Sequence, residues 1–184
     1  GTPVSTALNS SKTAYLGPLD DTYFYDGSGN ILARIKNLTA FDYGCTQIII
    51  DRAGSTAAQF WNNAAANYLL SKTCKVIPAN NTASGSYQIT LYYTAAEVAG
   101  WEAATGRTWA GSSMQVVKVS NGSFVPDVTP TVPHTADVST VTGTKGTLGS
   151  NFTMRGDFSS TGFSGFGVGV PGNALLTSDF VTKA

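Results

Sequence analysis

Charge is what this sequence has least of. Charged side chains make up 12% of the 184 residues, about half the share usual in a soluble domain, so surface polarity falls to Thr, Ser, Asn and Gly. Eleven basic and eleven acidic residues balance to zero. No basic stripe exists to release counterions from a nucleic acid, which excludes DNA and RNA as expected partners. No run of about twenty apolar residues is present to span a bilayer. The first residues, GTPVSTALNSSK, have neither the positive nor the apolar region of a signal peptide and read as a mature or excised start. Histidine occurs once, as His134, inside a proline-rich stretch, so a Ser-His-Asp arrangement would depend on a flexible base. Sequences matching H-E-x-x-H, G-x-S-x-G or a phosphate-cradling glycine loop are missing. Glu97 and Glu102 lie five apart on one short helical segment and do not form a glycosidase pair. The expectation is a protein that is not an enzyme.

Cysteine is equally scarce, with Cys45 and Cys74 the only two. An even pair in a Thr/Asn/Gly-rich chain favours one disulfide and an oxidising compartment. Two buried free thiols are the alternative. A zinc site would need two further ligands.

What is present is alternation. Tyr87, Ile89, Leu91 and Tyr93 alternate with Gln88, Thr90, Tyr92 and Thr94, which is the pattern of a half-buried strand. Thr94 stands three residues before Glu97, the spacing of a capping box. Val98, Trp101 and Thr105 follow at helical spacing, and Gly106 is placed to end the helix in a left-handed conformation. Upstream, 23–25 and 31–36 form a hairpin across the turn Asp26-Gly-Ser-Gly-Asn30. The segment 47–51 reads as a strand buried on both faces. Residues 56–70 have helix propensity interrupted by asparagines, with a strand at either end as the competing outcome. Residues 72–78 read as a strand carrying Cys74. Asn121-Gly122 is a hairpin signal, and 126–137 is a proline-rich connector. Strands near 138–142, 151–158 and 164–170 complete the pattern. The expected fold is mainly β: one antiparallel β-sandwich domain over 1–184, Ig-like or jelly-roll-like, with one or two short helices and a lead-in over 1–20 that adds an edge strand.

Candidate sites are few. Asp26, Ser28 and Asn30 have the oxygen spacing that opens a calcium loop, with Asp20 and Asp21 near. The acid required near the twelfth loop position is replaced by Asn37, so a plain turn is the preferred reading and calcium the alternative. No other cofactor is expected. Trp109 lies in the polar loop Gly106-Arg-Thr-Trp-Ala-Gly111, where a large ring has little local reason to be buried. With Arg107, Tyr92 and Trp61 it forms the candidate ligand-binding set, since flat rings bind the apolar faces of sugars while polar neighbours hold hydroxyls. The competing reading places the tryptophans in the core. Arg155-Gly156-Asp157 spells an integrin-type tripeptide, but its flanks look like a strand. The glycine-rich 165–169 lacks a following helix and fails as a dinucleotide site.

Taken in order, DGSGNILARI, DYGCTQIIIDRAG, a second Cys, YQITLYYTAAEVAGWEAATG, VVKVSNG and FSGFGVG resemble a module of secreted Bacteroidetes proteins. Such modules sit late in large secreted or surface proteins, some with metallopeptidase domains, just before a type IX secretion sorting domain. The likeness covers roughly 22–170 and is strongest in LYYTAAEV and in the Gly-Cys before IIIDRAG. No sorting domain is evident here, and no catalytic residues carry over. The resemblance implies secretion, a paired cysteine and an accessory role. The functional expectation is a non-catalytic extracellular adhesion or structural module of a longer chain, monomeric and at the cell surface. A glycan or a cell-surface protein is the expected partner. The alternative is a carbohydrate-binding module that uses exposed aromatics; a hydrolase ranks last.

Overall fold

Period-two alternation generates the architecture. The structure, a computed structural model, describes residues 3–58, 69–120 and 138–170. Its described strands, numbered in chain order, form two antiparallel sheets. The smaller contains β2 (Asp21–Tyr25), β3 (Ile31–Asn37), β8 (Tyr87–Tyr93), β11 (Thr144–Leu148) and β12 (Asn151–Phe158), in the order β11-β12-β8-β3-β2. The larger contains β1 (Ser11–Leu16), β4 (Gly44–Arg52), β7 (Thr73–Pro78) and β13 (Gly165–Gly169). It is extended by β9 (Gln115–Val119) and β10 (Val138–Thr142), and by the two-residue strands β5 (Ala57–Ala58) and β6 (Leu69–Leu70). The two sheets pack as a β-sandwich.

The inner faces follow the alternation. Tyr87, Ile89, Leu91 and Tyr93 on β8 are buried, as are Ala33 and Ile35 on β3. They meet Ile48 and Ile50 of β4, Val116 of β9 and Phe166 of β13 in one apolar cluster that runs from Leu16 to Val170. Its aromatic centre is Tyr87, stacked on Phe163 at 4.0 Å and on Phe158 at 5.6 Å. Fully burying side chains of this size supplies about 1.5–3 kcal/mol each. The lead-in does add an edge strand, since β1 pairs only with β4. On β4 buried positions alternate with half-buried ones, so the expectation of burial on both faces is corrected: Ile49 points away from the core. The ends of the ambiguous 56–70 segment form β5 and β6, which pair with each other; residues 59–68 lie outside the described residues. So do Asn121-Gly122, the 126–137 connector and His134.

Helix α1 (Ala95–Thr105) starts and stops as its sequence predicts. The Glu97 N–H donates to Thr94 Oγ1 at 3.1 Å, and the Thr94 N–H donates to Glu97 Oε1 at 2.9 Å. Gly106 closes the helix at φ 70°, a conformation open to glycine without the Cβ penalty. Val98 and Trp101 turn inward and are buried. At Gly100 a Cβ would overlap the Ser55 carbonyl oxygen, so glycine lets the helix approach the backbone after β4. Beneath the first turn, the Lys72 ammonium donates to Glu97 Oε1 at 2.9 Å and to the Ser5 carbonyl at 2.8 Å. Both partners of this ion pair are about 5% exposed.

The disulfide expectation is corrected, because both thiols are free. β4 and β7 are neighbours, but their register sets Cys74 opposite Ile50. Cys45 instead accepts through its carbonyl from the Ala79 N–H. Five residues of strand therefore separate the two cysteines, about 17 Å at 3.3–3.4 Å per residue. A disulfide needs Cα atoms within about 7 Å. Cys45 is exposed and Cys74 buried, and burial pushes the Cys74 thiol up to about 11.

Candidate functional site

The outer face of the five-stranded sheet collects one residue from every strand into a single row. The registers place Tyr23 beside Arg34, Arg34 beside Thr90, Thr90 beside Arg155 and Arg155 beside Thr144. These five line a groove of about 310 Å³ together with Tyr92 and Thr153. Toward β11 Gly146 stands opposite Thr153 and contributes no side chain. A Cβ there would come within 2.6 Å of Thr153 Oγ1.

The cations of the row are fixed. Arg34 donates from Nε and Nη2 to the two Asp21 oxygens at 2.8 and 2.6 Å. Its guanidinium also lies 4.8 Å from the centre of the Tyr23 ring. Hydrogen bonding to Arg34 holds Asp21 below the usual carboxylate range. Arg155 is held in the same fork-to-fork manner by Asp157, at 2.9 and 3.3 Å. Bidentate pairs of this kind fix direction as well as charge. Each guanidinium thus keeps N–H groups in a set orientation, that of Arg34 beside the Tyr23 ring. Tyr23 and Tyr25 stay 46% and 41% exposed, whereas Tyr92 forms the floor. Burial and the nearby Tyr23 push the Tyr92 phenol up to about 12.

Trp109 follows the core reading and not the binding one. Its ring is 7% exposed and belongs to the core. It stacks on Phe152 at 5.5 Å and sits 6.2 Å from Tyr93. The local sequence is polar, but tertiary contacts fold the loop inward. Glu102 accepts from the Trp109 backbone N–H at 2.9 Å, and the Lys145 ammonium donates to the carbonyls of Ala110 and Ser112. What remains of the Trp109 surface lines a second cleft of about 510 Å³ with Phe152, Glu102 and the Lys145–Thr147 stretch of β11. That stretch lines the first groove too, so the edge strand β11 stands between two depressions.

The other candidates scatter. Arg107 is half-buried, its backbone N–H bonded to Thr105 Oγ1, and it lines neither depression. Trp61 lies outside the described residues, and Trp101 is wholly buried. Asp26 organises its turn: one carboxylate oxygen accepts from the N–H groups of Ser28 and Asn30, the other from Ser5 Oγ and Asn30 Nδ2. Burial pushes its pKa up, but these donors outweigh it and hold the carboxyl below the usual range. This is the geometry of the plain turn. Asn37, at the position a calcium loop would give to an acid, is buried and ties Gly17, Thr39 and Phe41 together. No cluster of three His, Cys, Asp or Glu side chains able to hold a metal occurs among the described residues. Arg155-Gly-Asp157 is paired strand within β12, not a protruding loop.

Of the described members of the candidate ligand-binding set, then, only Tyr92 lies in the sheet-face groove. Tyr23, Arg34 and Thr90 carry no binding expectation from the sequence, and Arg155 carries one only within the Arg155-Gly156-Asp157 tripeptide. The signal available for two of them was the hairpin: alternation across Tyr23-Phe-Tyr25 and 31–36 leaves Tyr23 and Arg34 on one outward face. No protein-family model and no curated protein matches the sequence, and no solved structure matches the fold.

Proposed function

We propose that this chain is a non-catalytic extracellular recognition module of a longer secreted protein, which holds a neutral glycan on the outer face of its five-stranded sheet. One observation carries the reading: the row Tyr23, Arg34, Thr90, Arg155, with Tyr92 as its floor. A sugar ring offers apolar C–H faces and a rim of hydroxyls. An exposed tyrosine suits the first, and threonine hydroxyls with pre-oriented guanidinium and carboxylate groups suit the second. Sites for small ligands combine apolar area with a few placed polar groups in this way. Because Asp21 and Asp157 already neutralise the two arginines, the groove favours hydroxyl-rich over strongly charged ligands. The low charge of the chain and its resemblance to modules of secreted Bacteroidetes proteins support the extracellular assignment and the accessory role in adhesion.

A glycan array probed with the wild-type protein and with Tyr23→Ala tests this. Binding that falls about tenfold, equivalent to about 1.4 kcal/mol, is the expected result. Binding unchanged by Tyr23→Ala moves the site elsewhere, and no binding to any glycan sinks the reading.

A further inference from the structure

Lys118 occupies a position that strand alternation gives to the core. On β9 it shares the inward face with Val116, and it stands opposite Phe166, a wholly buried ring. The whole residue is 5% exposed. No hydrogen bond or ion pair joins its ammonium to a described residue. Its stem packs along the core while its ammonium reaches the solvent-filled end of the sandwich, and partial desolvation lowers its pKa. Lys118 thus brings a cation with no partner among the described residues to the surface of a cavity.

It lines a pocket of about 440 Å³ at one end of the sandwich. The pocket forms where the end of β9 meets the loop between β7 and β8 and the loop between β12 and β13. Around Lys118 stand Asn81, Thr82, Ser120, Ser160 and Thr161, with Phe163 as an apolar wall. The walls are held rigidly. Asn81 Nδ2 donates to the Phe163 carbonyl at 2.9 Å, and the Phe163 N–H donates back to Asn81 Oδ1 at 3.0 Å. The Tyr87 hydroxyl donates to the Gly162 carbonyl at 2.6 Å, and the Thr161 N–H to the Gly85 carbonyl at 3.0 Å. Ser160 adopts φ 54°, a left-handed conformation that a serine holds only when its surroundings impose it.

We propose that this pocket binds the carboxylate of an acidic sugar, with Lys118 as the counter-charge. One ammonium among neutral hydroxyls balances a single negative charge; a phosphate dianion would leave excess charge that nothing lining the pocket neutralises. The volume admits a ring rather than a bare carboxylate, and the hydroxyls and Phe163 offer partners for the rest of a uronic acid. The pocket shares no lining residue with the sheet-face groove, so either site can fail without the other.

The test is titration of the full chain, with ¹³C-labelled lysine, by glucuronate at low salt, read at the Lys118 ε-methylene by NMR. A saturable shift is expected that is absent with glucose, weakens several-fold when ionic strength is raised, and disappears in Lys118→Met. Thr161→Val, a milder change that leaves the backbone bond to Gly85 in place, is expected to weaken binding several-fold. Lys118→Met keeps the buried stem and is expected to melt within about 2 °C of the wild type, so that lost binding is not lost fold. Three results would overturn the proposal: no saturable shift, a shift that survives in Lys118→Met, or an equal response to acetate and chloride, which marks an adventitious ion only.

Discussion

Glu97 joins two structures that are usually separate, a helix cap and a buried ion pair, and its removal should reveal both. Its Oε1 accepts from the Thr94 N–H at 2.9 Å and from the Lys72 ammonium at 2.9 Å. Both charged groups are about 5% exposed, and Lys72 lies 5.1 Å from the centre of the Tyr93 ring. Glu97→Ala therefore strands an ammonium in the interior; breaking such a pair from one side costs about 3–5 kcal/mol. In a domain of this size that is a fall in Tm of about 6–20 °C. Thr94→Ala is the control, since it loses the cap oxygen and keeps the ion pair, at about 1 kcal/mol. Replacing both charges, Lys72→Met with Glu97→Leu, should restore more than half of the loss, because a buried pair is often worth no more than apolar packing. Calorimetry or circular dichroism on the four proteins gives the answer. If Glu97→Ala melts no lower than Thr94→Ala, the buried charge carries none of the stability argued for it.

Three further outcomes follow from the same geometry. Native protein should take up one equivalent of an alkylating reagent, at exposed Cys45, and two when unfolded without reductant; no uptake in either state would restore the disulfide. Gly100→Ala should destabilise by about 1–3 kcal/mol because its Cβ meets the Ser55 carbonyl, although helix propensity alone predicts a gain of about 1 kcal/mol; a rise in Tm would contradict the packing. Tyr87 and Tyr93, whose hydroxyls donate to the carbonyls of Gly162 and Lys72, weaken the fold at alkaline pH, and Tyr92 and Cys74 add to the loss. Burial raises the pKa values of Tyr87 and Tyr93 above the ordinary 10.0, so their contribution is intact below pH 10 and is lost as pH rises beyond it. Lys72 and Lys118 are shifted the other way and compensate only up to their ordinary 10.5; burial lowers Arg52 to about 10, which offsets one tyrosine above that, so the pair loses a net of about 1.4 kcal/mol per pH unit. Urea midpoints that stay flat between pH 10.5 and 12 would refute this.

What could be read from the sequence was what depends on near neighbours. The Thr94–Glu97 cap, the Gly106 stop and the alternation of β8 follow from interactions within a few residues, and they occur where expected. The turn at Asp26 is local in the same sense. The choice between core and binding surface for Trp109 was not legible locally, because its burial depends on Phe152, more than forty residues onward and on another strand. The cysteines were misread because counting cannot reveal ladder register, and here the register of β4 against β7 keeps them apart. The sheet-face groove draws on five strands, so no stretch of sequence contains it. Lys118 was legible in part: in QVVKV it shares a face with Val116, and a lone lysine in a core alternation is a signal that local rules had been broken.

The central claim is that the outer face of the five-stranded sheet is the recognition surface. Amide chemical-shift mapping with a panel of neutral oligosaccharides tests it most directly. The account predicts shifts that centre on Tyr23, Arg34, Thr90, Tyr92 and Arg155 and leave the outward residues Thr13, Gln47 and Ile77 of the larger sheet unmoved. Shifts that centre on the larger sheet, or none with any member of the panel, would contradict it.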